Sequence, residues 1–363
     1  MAQKHKMQIL LSPILFPLSW IFAGIALFRA FYYTKLFPNK TYQAKFPTLC
    51  IGNISWGGTG KSPVIDYLLK FFEEHKKKSI VLSRGYGVKL PYYPFILDKN
   101  TNQRNFPLPD EPTMLLEKNP ESTILISPSR VLSAQFAEKN FPKTDFLLMD
   151  DGFQHFALAR QYNIVLLDID DLVEKPFFAK LTDKNYNWNT LIPLGSWREP
   201  KKALDRATIF LIKCPQQKWQ EQKEIFLKKI QEYNKPIFIF SIEIETLCPL
   251  FSFPQKPITD YAILAGIGNP YQFQKSIETY TQKPCKKTFF LSDHAKMDTI
   301  IEEIKNTTIP IICTEKDAVK LKTYSELTHK EIYYTKTHCI FHSHILYTAD
   351  FDTWLTNELL TNK

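Results

Sequence analysis

From residue 9 to residue 28 the chain carries no charge, whereas beyond Lys35 its apolar residues come in short runs broken by polar turns. The first pattern matches the about 20 apolar residues that a helix needs to cross a bilayer. It predicts an N-terminal membrane-associating helix over 1–33, which either spans the membrane or lies in one leaflet. Pro13 and Pro17 are expected to bend its first half, while Trp20 and Phe31-Tyr32-Tyr33 suit an interfacial belt. A cleaved signal peptide is the rival reading, because Lys4 and Lys6 precede the apolar run, but no small-x-small site follows it.

The short runs at 49–51, 79–82, 123–126, 146–149, 164–167, 208–212 and 236–240 read as buried strands. Helical spacing separates several of them: 64–72, 114–117, the stretch opening at Ser129-Arg130, and a run with Trp219, Phe226 and Ile230 on one face. Strands alternating with helices predict an α/β core with a mostly parallel sheet over 34–242. Residues 91–109 read as loop. The stretch 243–257, ending in a part rich in proline and aromatics, reads as a linker where one sheet ends and another begins. Runs at 261–264, 289–291 and 309–313 then predict a second, smaller α/β domain over 258–345, with a C-terminal helix over 346–363.

Chemistry gathers where strands end. The first run breaks into Gly57-Gly58-Thr59-Gly60-Lys61-Ser62 and then a helix. Such a loop aims backbone N–H groups and a helix N-terminus at one point, where a lysine adds charge and a hydroxyl can ligate magnesium. A nucleoside triphosphate fits there, in a P-loop NTPase-like core. The strict pattern wants glycine at Ser55, which leaves a glycine-rich turn with an incidental lysine as the alternative. Ser83-Arg84-Gly85-Tyr86-Gly87 reads either as a ligand-binding rim or as a turn with a solvent-facing arginine. Asp110, ahead of a helix, reads by itself as a cap.

An apolar strand running into Asp150-Asp151-Gly152-Phe153-Gln154-His155 is where enzymes with a phosphate loop hold magnesium or its water shell, the alternative being a solvated acidic turn. Arg198-Glu199-Pro200 pins a cation beside an acid in a loop, or is a surface ion pair. In the second unit, 265–270 reads AGIGNP, a dinucleotide fingerprint without its last glycine or its acidic partner, so no second nucleotide site is expected. Ser292-Asp293-His294 and Thr314-Glu315-Lys316-Asp317 end two further strands on one shared rim, with His294 either structural or an acid–base group.

At 363 residues the chain has room for two cores, and its 44% hydrophobic and 23% charged content is that of a folded protein. Every charged residue before Asp66 is basic, so much of the net +9 sits near the apolar helix, where it attracts anionic lipid headgroups. Nucleic acid is the competing partner for a basic chain, but no nucleic-acid motif is present and none is expected to bind. The six cysteines show no CxxC pair or metal spacing, which fits reduced thiols in a body facing the cytoplasm, where a nucleoside triphosphate is available.

In order along the chain, GGTGKSP, SRGYG, DEP, DDGFQH, REP, AGIGNP, SDH and TEKDAVKL resemble the tetraacyldisaccharide 4'-kinase (lipid A 4'-kinase) family of Gram-negative bacteria. The resemblance implies a magnesium-dependent kinase that moves the γ-phosphate of ATP to the 4'-hydroxyl of a tetraacylated glucosamine disaccharide 1-phosphate. It implies work at the cytoplasmic face of the inner membrane. Lys61 and Ser62 match phosphate- and magnesium-holding positions, and Asp110 with His294 match a catalytic base and its partner, which displaces the cap reading. Asp150, Asp151, Gln154 and Glu199 match metal and nucleotide-proximal positions; Tyr86, Arg130 and Arg198 match residues around substrate and phosphates. The chain departs from the usual pattern at Pro109, Ser196-Trp197 and Ala295, which bears on local loop shape. A membrane-associated regulatory P-loop NTPase is the alternative function, and a nucleic-acid-binding NTPase a third.

Overall fold

Leu49 and Ile51 face one hydrophobic core while Cys50 between them faces another, and Leu148 and Met149 divide in the same way. This period of two, apolar on both sides, is that of strands buried under helices on both faces of a sheet. The computed structural model describes residues 2–101, 107–169, 172, 189–254, 257–292, 297–345, 347 and 349–361.

Its first half runs α1 (Ala2–Phe31), β1 (Thr48–Asn53), α2 (Lys61–Glu74), β2 (Ser79–Ser83), β3 (Phe95–Leu97), α3 (Asp110–Lys118), β4 (Thr123–Ile126), α4 (Arg130–Asn140), β5 (Phe146–Asp150), β6 (Tyr162–Asp168) and β7 (Ile209–Lys213). There follow α5 (Gln216–Ile230), β8 (Ile237–Pro249), β9 (Ala262–Ala265), α6 (Pro270–Thr281), β10 (Lys287–Phe290), α7 (Ile301–Asn306), β11 (Ile311–Cys313), α8 (Glu315–Leu321), β12 (Ile332–Ile345) and α9 (Phe351–Leu355).

The described strands form one sheet in the order β10-β9-β11-β12-β8-β7-β6-β1-β5-β2-β4-β3. It is mixed and mostly parallel: β4-β3 and β12-β8 are its antiparallel pairs. The start of β8 lies parallel to β7, and the start of β12 lies parallel to β11. Between them β8 and β12 form an antiparallel ribbon, with Ile237 opposite Ile345 and Pro249 opposite Tyr333. The two parallel sets therefore sit at opposite ends of the ribbon and aim their carboxyl ends toward its middle, where ligands of open α/β sheets bind.

This corrects two expectations. Residues 243–257 are strand as far as Pro249, so one sheet continues where a linker between two was expected. The ribbon is only partly covered, so Glu243 and Glu245 alternate with half-buried Ile242 and Ile244 instead of forming an apolar run. Pairing with β12 satisfies their backbone groups. Within 91–109, expected as loop, β3 adds a short antiparallel edge strand after Pro94, a place where a sheet tolerates proline.

The helix α1, with Pro13 and Pro17 inside it, leaves most of its large apolar residues in solvent, Trp20, Ile21, Ile25 and Phe28 among them. The helical stretch Pro13–Leu36, which continues one turn past α1, is long and apolar enough to cross a membrane. Ser19 is buried against the body, bonding Leu191 O and accepting from Leu194 N, each at 3.2 Å. At the other end of the chain, α9 returns to the first half and places Phe351, Trp354 and Leu355 in the core beside α2.

Candidate active site

The turn between β1 and α2 is shaped by Gly57 at φ +140° and Gly60 at φ +93°. Gly60 is the left-handed cap of α2, and a Cβ there would lie 3.0 Å from Ile242 Cδ1, so β8 packs directly under the loop. Lys213, at the end of β7, donates to Gly58 O at 2.6 Å and pairs with Asp168 at 2.5 Å, tying the loop to the ends of β6 and β7. Ser55, where a strict phosphate loop has glycine, is buried and bridges Trp197. Its φ is not positive, so the position needs no glycine.

Lys61 opens α2 and reaches Asn53 Oδ1 at 3.2 Å and Asp151 Oδ1 at 3.7 Å. Arg198 Nη1 and Nη2 donate to the two oxygens of Asp151, each at 3.0 Å, and Nη2 also contacts Asn53 Oδ1. Asp151 turns at φ +47°, a left-handed conformation that aspartate tolerates better than most residues. Burial pushes its carboxyl up, but Lys61 and Arg198 outweigh this and hold it at about 2. Gln154 Nε2 donates to Asn53 O at 3.0 Å, while its buried Oε1 has no partner among the described residues.

Asp150 ends β5 beside β1, with Ser83 Oγ donating to Oδ2 at 3.3 Å and Arg130 Nη2 donating to its main-chain oxygen at 2.8 Å. Burial, then the charges of Glu111 and Asp151, push the Asp150 carboxyl up to about 7. Burial, then Arg130 and Arg160, push His155 down to about 4 and keep its ring neutral.

Asp110 is the first residue of α3, and the cap position before it, Pro109, makes no side-chain cap bond. The Asp110 carboxylate instead pairs with Lys320 of α8 at 3.3 Å, across the two halves. Lys316 pairs with Glu111 at 3.1 Å in the same way.

Thus Lys61, Arg198 and Gln154 converge on Asn53, Asp151 pairs with both Lys61 and Arg198, Arg130 braces Asp150, and Glu111 brings the start of α3 within electrostatic reach of Asp150. Ser62 is half-buried in the first turn of α2, Thr59 is buried in the loop, and Tyr86 is exposed on the turn after β2. Glu199 is buried but paired with Arg206 at 2.8 Å, whose guanidinium lies over Phe153 and Phe156. Its carboxylate is thus engaged away from the loop lysine. His294 lies outside the described residues. Asn53 and Lys213 went unread in the sequence, although both are polar residues ending an apolar strand, the signal that marked Asp150.

The donor set is one of hard oxygens. No group of three or more His, Cys, Asp or Glu suited to a metal occurs among the described residues. Magnesium commonly takes one or two carboxylates and completes its shell with water and substrate phosphates. A carboxylate pushed up to about 7 by burial and then by neighbouring acids fits that demand, because a cation beside it offsets both.

A parallel α/β half with a glycine-rich loop, a loop lysine and strand-end carboxylates, joined to a second α/β half, defines a nucleotide-binding phosphotransferase of the P-loop type. The chain belongs to the tetraacyldisaccharide-1-P 4'-kinase family, whose pattern matches residues 11–359. It is an ATP-dependent kinase of lipid A biosynthesis. It is 30% identical over 322 residues to a tetraacyldisaccharide 4'-kinase of Nitratidesulfovibrio vulgaris, spanning 87% of this chain and 86% of that one. With the enzyme of the same description from Francisella tularensis subsp. holarctica it shares 33% identity over 321 residues, 87% of this chain and 92% of the relative. The crystal structure of LpxK from Aquifex aeolicus in complex with ATP shares the fold, with a TM-score of 0.65, 23% identity, and coverage of 90% of this chain and 94% of that one.

Proposed function

We propose that the site where the two halves meet transfers the γ-phosphate of ATP to the 4'-hydroxyl of a tetraacylated glucosamine disaccharide 1-phosphate presented at the cytoplasmic face of the inner membrane. The convergence of Lys61 and Arg198 on Asn53 and on Asp151, beside the buried Asp150, carries this reading. Backbone N–H groups of 57–62 and the Lys61 ammonium hold the triphosphate. Arg198 is braced by Asp151, so its charge faces the phosphates without reorganising during transfer.

Ser62 and Asp150 are the residues we assign to magnesium, with Asp151 in support through Arg198 and Glu199 through Arg206. When bound, the ion draws charge off the transferring phosphate. Asp110 accepts the proton of the sugar hydroxyl, with His294 orienting it. Tyr86 and Arg130 line the substrate side. The exposed apolar face of α1 lies in the membrane, and Lys35 and Lys40 meet anionic headgroups.

The test is ATP-dependent phosphate transfer to the tetraacylated disaccharide 1-phosphate in detergent micelles, with and without magnesium. Transfer that requires both acceptor and magnesium is expected. ATP hydrolysis at the same rate without acceptor, and no phosphorylated lipid, would overturn the reading in favour of a regulatory NTPase.

A further inference from the structure

The motif TEKDAVKL in the second half has no part in nucleotide binding as described, yet its side chains are unusually committed. Thr314 caps α8, accepting from Asp317 N at 3.1 Å and donating to Asp317 Oδ2 at 2.7 Å. Asp317 is fully buried and also accepts from Gly266 N at 2.9 Å. A Cβ on Gly266 would lie 2.8 Å from Asp317 Oδ1, so the glycine of AGIGNP is needed for this contact. The start of α8 is therefore fixed to the loop after β9.

From that fixed base, Lys316 and Lys320 stand four residues apart on one helical face. They meet Glu111 and Asp110, the first two residues of α3 in the other half. Glu315 closes the far end, 3.1 Å from Lys118, which also reaches Asp66 of α2 at 3.3 Å. The Lys316 and Lys320 side chains are 10% and 13% exposed, against 39% for Lys322, whose pair with Glu117 lies at the rim. Exposed pairs contribute little, whereas a largely buried lysine holds its partner in one geometry.

We infer that Lys320 is a positioning residue for phosphoryl transfer, fixing the Asp110 carboxylate at the start of α3 when the two halves meet. The inference rests on Asp110 being the base. A side chain at the first helical position has rotamers to choose from, and a base misplaced by an ångström loses much of its effect. Because Lys320 belongs to the second half, the base is set only where the two halves meet, and Lys316 holds the neighbouring Glu111 in the same way.

The experiment is steady-state transfer by Lys320→Met, Lys320→Arg and the rim control Lys322→Met, together with Lys320→Met in an Asp110→Asn background. Expected for Lys320→Met is a kcat lowered by about 10- to 100-fold with the KM for ATP within about twofold of wild type. Lys320→Arg restores most of the rate, and Lys322→Met stays within about twofold of wild type. In the Asp110→Asn background, Lys320→Met adds no further loss, because it acts through Asp110. Should Lys320→Met unfold, Lys320→Gln serves in the same comparisons. An unchanged kcat, a loss confined to KM, or an additive loss in the double variant would each overturn the inference. An Asp110→Asn variant as active as wild type would instead remove the reading on which it rests.

Discussion

Arg198, in the stretch between β6 and β7, grips both oxygens of Asp151 at 3.0 Å. The Arg198 stretch is anchored to the start of the phosphate loop by two backbone bonds: Arg198 N donates to Ile54 O at 2.7 Å, and Trp56 N donates to Ser196 O at 2.8 Å. The guanidinium is therefore held beside the phosphate loop by main chain as well as by charge. Arg198→Lys keeps the charge but cannot make the two-pronged contact. It is expected to lower kcat/KM by about 100-fold, measured in the transfer assay.

Lys213 supports the loop from below through Gly58 O. Lys213→Met should raise the KM for ATP by about tenfold while changing kcat much less, since the loop's phosphate-binding geometry is disturbed and the base is not. Calorimetric ATP binding checks this separately from turnover.

Asp150 gives a pH dependence with a definite sign. Its carboxyl is raised to about 7 in the folded chain, from an unfolded value of about 4. The folded state thus binds the extra proton between these values, and the cation-free protein loses stability as pH rises through that window. Asp150→Asn removes the penalty. In chelator, its melting temperature should exceed wild type at pH 8 and approach it at pH 5; a gap independent of pH would contradict the assignment.

Membrane association rests on the exposed side of α1, where Ile21 and Ile25 are 60% and 62% exposed. Replacing both with lysine should reduce co-sedimentation with anionic vesicles by about tenfold or more, since lysine in a hydrocarbon layer is costly. ATP binding in solution should stay unchanged.

Much of this was legible in the sequence because strands buried on both faces leave unbroken apolar runs, as at 49–51 and 146–149, and their polar ends fall on the ligand rim. The ribbon was not legible in that way. Ile242 and Ile244 alternate with Glu243 and Glu245 in a strand lacking full cover, and β12 carries polar residues such as Thr335 and His338 between its apolar ones. Contacts between the halves were also hidden. Nothing local to Asp110 announces Lys320; that pairing exists only once the chain is folded.

The central claim is that Asp110 takes the proton from the acceptor hydroxyl, and Asp110→Asn tests it most directly. Phosphate transfer to the tetraacylated disaccharide 1-phosphate and ATP binding would be measured on the same preparation. The account predicts a kcat lower by about 100- to 10,000-fold with ATP affinity within about twofold of wild type. Turnover near the wild-type rate, with ATP bound normally, would contradict it.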